Sequence, residues 1–135
     1  MAKDEKYIID LCSQVLGRVA SQQHRFDFLR GDTGCKLPVD AYYAELNLVI
    51  EYRERQHTES VDFWDRKPTA SGIPRAQQRA RYDQRRREVL PQHGIKVVEI
   101  GYHEFGHDGR KRLLREMEND KLVVRRRLKA EGVLK

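Results

Sequence analysis

At 135 residues the chain fits one domain, residues 1–135, and is too short for two ordinary ones. Only 39% of it is hydrophobic against 36% charged, so the expected core is one thin sheet covered by a few helices. A formal charge of +6 favours a polyanionic partner such as nucleic acid, and the lack of any run of about 18 apolar residues excludes a membrane-spanning helix. Charges of both signs precede the Ile8–Leu16 stretch, unlike a signal peptide, which makes the cytoplasm the expected address. Cys12 and Cys35 have no paired His or Cys spacing for zinc and read as free thiols.

Ile8, Cys12, Val15, Leu16 and Val19 recur at helical spacing and predict an amphipathic helix over about Asp4–Val19. Phe26 and Phe28 alternate within Gln23–Arg30, a first strand, and Gly31-Asp-Thr-Gly34 supplies a turn. A second strand follows over about Lys36–Tyr43, with Pro38 near its start, where a missing N–H does least harm. Leu46, Leu48 and Ile50 alternate with Asn47, Val49 and Glu51 in a third. The apolar pattern fails from Glu54 to Ser71 apart from Val61, Phe63 and Trp64. Pro74 opens an arginine-rich helix that stops at Pro91-Gln-His-Gly94, and Ile95–Ile100 is a short buried strand. A last basic helix is expected over about 108–130. The strand after the Pro74–Leu90 helix can join its predecessor in parallel, so the expected class is α/β, a central mixed four-stranded sheet flanked by helices.

Residues two apart on a strand share a face, so Glu51 and Arg53 project together, and a short hairpin brings Asp40 across from them. Two such carboxylates suit Mg2+ or Mn2+, hard cations that take oxygen ligands. The bland alternative pairs Glu51 with an arginine as a buried ion pair and leaves Asp40 on the solvent face of an edge strand. Asp83 and Arg86, three apart on one helix face, either orient the site or form a surface pair. His57 either moves a proton or is an exposed loop histidine. Arg75, Arg79, Arg85 and Arg86 are the candidate backbone-phosphate contacts; a solvated cationic face is the alternative. Phe63 and Trp64 either stack on bases or form a small lid, and Arg125–Arg127 either touch nucleic acid or keep the tail soluble.

These residues carry a resemblance. Helix, strand hairpin, helix, strand, with Asp40 on the second strand and Glu51-Tyr-Arg53 on the third, resembles the PD-(D/E)XK endonuclease superfamily. Ile50-Glu-Tyr-Arg-Glu-Arg-Gln-His57, then Arg81-Tyr-Asp83, Arg86, Leu90 and Gly94-Ile-Lys-Val-Val98, resembles its compact very-short-patch-repair-like endonucleases. The likeness spans about Leu37 to Phe105, and some relatives have a counterpart of Glu5. It implies a restriction-endonuclease-like fold and DNA hydrolysis, in repair or restriction. Asp40 and Glu51 would hold Mg2+ or Mn2+, His57 would serve the proton, and Gln56 and Asp83 would support the site. The partner would be double-stranded or branched DNA, cut most easily by a homodimer with one site per strand. Val39 stands where the motif has Pro and Arg53 where it has Lys. Arg stays protonated, so Arg53 cannot be a base, but its fork of donors can hold a phosphate. A silent nucleic-acid-binding subunit that keeps the fold is the alternative reading.

Overall fold

The computed structural model describes residues 3–54 and 72–135. It is an α/β structure: α1 (Lys3–Leu16), β1 (Ser21–Arg30), β2 (Lys36–Tyr43), β3 (Leu48–Arg53), α2 (Arg75–Gln92), β4 (Lys96–Gly101) and α3 (Met117–Ala130). The four strands form one sheet in the order β1-β2-β3-β4. The first two pairings are antiparallel; β3 and β4, with α2 between them in sequence, run parallel from Leu48↔Lys96 to Arg53↔Gly101. This is the mixed sheet expected from the element order.

Helices cover both faces of the sheet. On one, Ile8, Leu11 and Cys12 of α1 and Val124 and Leu128 of α3 bury against Ala41, Ile50, Val98 and Ile100. On the other, Leu90 of α2 packs with Leu29, Leu37, Val39 and Val49. Each fully buried aliphatic side chain contributes about 1.5–3 kcal/mol, so both layers are needed to hold so charged a chain. β3 lies between them and is buried at all six residues, on both faces.

β2 does not keep one face to one layer. Leu37 and Val39 belong to the α2 core, yet Ala41 and Tyr43 belong to the α1/α3 core. Strict alternation would keep all four together. The change of face falls at Asp40. In the β1 register Asp40 lies opposite Gln23, whose φ is +51°, so the two strands depart from regularity together.

Several boundaries differ from the sequence reading. α1 ends at Leu16 because Gly17 turns left-handed (φ +65°), and Val19, expected on its apolar face, is 93% exposed. Leu46 lies in a 3-10 turn, Ala44–Leu46, and Asn47 (φ +48°) ends it, so β3 begins at Leu48. α2 runs one turn-fraction past the expected stop, to Gln92. The last helix begins at Met117, not near Asp108. Residues 108–112 instead form a turn in which the Asp108 carboxylate accepts the N–H groups of Arg110 and Arg112, and Lys111 and Arg115 have positive φ. Cys12 is buried and Cys35 exposed, both free thiols.

Candidate functional site

The β2–β3 ladder pairs Tyr43↔Leu48, Tyr42↔Val49 and Ala41↔Ile50, and the next step would oppose Asp40 and Glu51. There side chains replace the backbone ladder. The Asp40 N–H donates to Glu51 Oε2 (2.5 Å), and the Tyr52 N–H donates to Asp40 Oδ2 (2.7 Å). The hairpin geometry read from the sequence therefore does bring these two carboxylates together. They border a cavity of about 270 Å3 with Glu5, Tyr52, Arg53 and Arg86. Glu54 also reaches it, so four carboxylates meet two guanidiniums.

That surplus shows in the acidities. Burial, then the charge of Glu5, pushes Asp40 up to about 7. Burial, then the charge of Asp40, pushes Glu51 up to about 7 against the pull of Arg86 and Arg53. Glu5 on α1 is raised as well, by burial first; it lines the cavity beside Asp40 and accepts from Gln23 Nε2 (2.6 Å).

Arg53 is the hub of the neighbouring network. Its side chain is only 9% exposed and reaches Glu99 (2.6 Å), Asp83 (3.1 Å) and Glu51 (3.4 Å). Burial alone would lower its pKa, but these three acids raise it, so it is permanently charged. Its Nη2 is buried and has no hydrogen-bond partner among the described residues. An unsatisfied donor on a buried guanidinium is costly.

α2 supplies the second cation. Arg86 donates to the Pro38 carbonyl from Nε (3.1 Å) and Nη2 (3.0 Å), and it pairs with Asp83 (3.1 Å) and Glu51 (3.2 Å). Asp83 and Arg86 thus enter the site together and are no surface pair. Glu51 also forms the buried ion pairs of the blander reading, and it does so while lining the acidic cavity.

The expected phosphate contacts divide. Arg86 is built into the cavity wall. Arg85 donates to the Arg30 carbonyl (2.8 Å) and to Asp32 (3.0 Å), which with Arg81 fixes α2 to the β1–β2 turn. Arg75 and Arg79 lie in the first two turns of α2, each with a partner of its own. His57 and Gln56, with Phe63 and Trp64, lie outside the described residues.

Glu99 and Arg87 were not anticipated. Glu99 is the register partner of Glu51 on β4 and binds Arg53 and Arg87, whose pull holds its pKa low despite burial. Its one trace in the sequence is a lone acid within the apolar run Ile95–Ile100. Glu54 follows Arg53 directly, and nothing in its spacing separates it from the polar stretch after it.

The donor set fits a hard divalent cation. Asp40 and Glu51, with Glu5 behind them, offer carboxylate oxygens at a point of excess negative charge. Among the described residues no three His, Cys, Asp or Glu side chains are already spaced as a complete cage, so solvent or substrate oxygens would complete the shell. Comparison with protein families, with curated proteins and with solved structures finds no match for this chain.

Proposed function

We propose that this chain is a metal-dependent DNA endonuclease of the PD-(D/E)XK type, with a restriction-endonuclease-like fold. One observation carries the reading. The β2–β3 hairpin delivers Asp40 and Glu51 to an acidic cavity that a buried arginine, Arg53, also lines, its Nη2 without a partner among the described residues.

Asp40 and Glu51 would hold Mg2+ or Mn2+, with Glu5 as a third acid on the same cavity. The ion would supply charge neutralisation at the phosphate and a lowered pKa for the attacking water. Arg53 Nη2 would donate to a non-bridging phosphate oxygen and stabilise the extra charge of the transition state. Glu99 and Asp83 hold that guanidinium in place, so the donor is oriented before substrate binds. Arg53 accepts no proton, which leaves His57 as the side chain suited to move one near neutral pH. Arg75 and Arg79 share a helix face with Arg86 by spacing, a path for the phosphate backbone toward the cavity.

The second reading is a catalytically silent DNA-binding subunit, and a specific feature favours it. Three acids already neutralise Arg53, where the motif's lysine would be a mobile base. Supercoiled plasmid and a labelled branched or mismatched duplex, incubated with Mg2+ or Mn2+, separate the two. A nuclease cleaves, and both Glu51→Gln and Asp40→Asn abolish cleavage while retaining DNA binding. A silent subunit binds DNA in a salt-dependent manner and cuts with neither ion.

A further inference from the structure

Among the described residues β1 is an edge strand: in the sheet order it pairs with β2 alone. Edge strands are usually blunted by Pro, charged side chains or bulges; Ser21–Arg30 has no Pro or Lys, and its charges are Arg25, Asp27 and Arg30, with a register shift before Arg30. Its face bears a continuous row of rings. His24 and Phe26 lie 4.6 Å apart, Phe26 and Phe28 5.0 Å, and Phe28 stacks on His93 at 3.6 Å. Phe28, 37% exposed, and His93 are both open to solvent. Arg25 and Asp27 occupy the alternate positions, and both reach Lys36: Arg25 at its carbonyl, Asp27 at its ammonium (2.7 Å). The pairing register with β2 shifts between Arg25 and Arg30, so Phe26 to Leu29 lie outside the regular β1–β2 ladder; Leu29 turns inward, and the ring contact keeps Phe28 beside Phe26.

We propose that β1 is a self-association strand and that its partner is β1 of a second copy, antiparallel and centred on Phe26. Under the two-fold axis of such a pair, each residue meets the one equally far on the other side of Phe26. Arg25 then faces Asp27 of the second copy, and Asp27 faces its Arg25. On the ring face His24 meets Phe28 of the second copy, and Phe26 meets itself. Opposite charges and aromatic pairs directly across a ladder both stabilise it, and here one register satisfies every pair twice. No other antiparallel centre within His24–Phe28 pairs Arg25 with Asp27. The resulting sheet has eight strands, with β4 at each outer edge. The inference does not depend on the nuclease reading.

Charge reversal tests it by sedimentation velocity at tens of micromolar protein, with circular dichroism confirming that each variant is folded. The native chain sediments as a dimer. Arg25→Asp sets acid against acid, Asp27→Arg sets base against base, and each lowers the dimer fraction at least tenfold. The double variant Arg25→Asp/Asp27→Arg restores the opposite pairing and the dimer. A native chain that is monomeric throughout overturns the proposal, as does a folded double variant that stays dissociated like the singles. A monomer in which Phe28→Ala lowers affinity for a single-stranded oligonucleotide would also overturn it and reassign the rings to base stacking.

Discussion

Asp40 and Glu51 exchange hydrogen bonds across two strands, each carboxylate taking an amide from the strand opposite: Asp40 N–H to Glu51, Tyr52 N–H to Asp40. Backbone groups stay satisfied while two acids are held side by side in a buried place. The fold thus maintains a repulsion that a bound cation would relieve.

Replacing Asp40 should therefore stabilise the metal-free protein. Asn keeps an oxygen for the Tyr52 N–H and removes one buried charge, so Asp40→Asn is expected to gain about 1–3 kcal/mol at pH 8 in chelator. The same variant should also lose the stabilisation against urea that Mn2+ is expected to give the native chain. Urea unfolding with and without Mn2+ measures both; a destabilised Asp40→Asn would show that the acid is structural.

The direction of the pH dependence follows from the raised acidities. Asp40 and Glu51 titrate near 7 in the folded chain and at ordinary carboxylate values when unfolded. Between about pH 4 and 7 the folded state holds more protons, so their contribution to stability is complete below about pH 4 and is lost as pH rises through 7. The loss should reach a few kcal/mol for the pair. Saturating Mn2+ should flatten this slope by replacing the protons, and denaturant midpoints from pH 4 to 8 would show it. A native chain with no slope in chelator contradicts the buried repulsion.

Arg53 carries structure as well as chemistry. Arg53→Met leaves Glu51 and Asp83 to Arg86 and Glu99 to Arg87, removes one buried cation from among three acids, and should cost about 3–5 kcal/mol. Arg53→Lys has one ammonium for three acids and should fall between the two. Equilibrium unfolding ranks them, and a neutral Arg53→Met would mean that the network holds nothing together.

Gly31 is set by close approach. A Cβ there would lie 2.8 Å from the Tyr82 hydroxyl, which also accepts the Asp32 N–H (3.0 Å). Gly31→Ala should cost about 1–3 kcal/mol by lifting the β1–β2 turn from α2. In a Tyr82→Phe background the added cost should shrink, and a double-mutant cycle reads that coupling directly.

Much of this was legible because β-strand alternation is a local rule. The two-residue spacing of Glu51 and Arg53, and the position of Asp40 across a short hairpin, follow from it without knowledge of the rest. The parallel β3–β4 pairing was readable from an intervening helix. What was hidden is long-range: the Arg53–Glu99 contact joins residues 46 apart, and only the β3–β4 register brings them together. The start of α3 was misplaced for another reason. Leu113, Leu114 and Met117 mimic a helical stripe, and Asp108-Gly109, a turn dipeptide, outweighs them. The three-residue spacing of Asp83 and Arg86 left two readings, a site pair or a surface pair, and packing against Glu51 and the Pro38 carbonyl selects the first.

β2 is divided at Asp40, with Leu37 and Val39 anchored in one core and Ala41 and Tyr43 in the other. The acidic cavity therefore sits on a seam between two independently buttressed halves of a strand. A seam of that kind insulates chemistry from scaffolding: carboxylates at the join can be exchanged for other donors while the greasy residues on either side keep their neighbours. Hydrophobic substitutions in one layer, conversely, should tilt only one wall of the cavity.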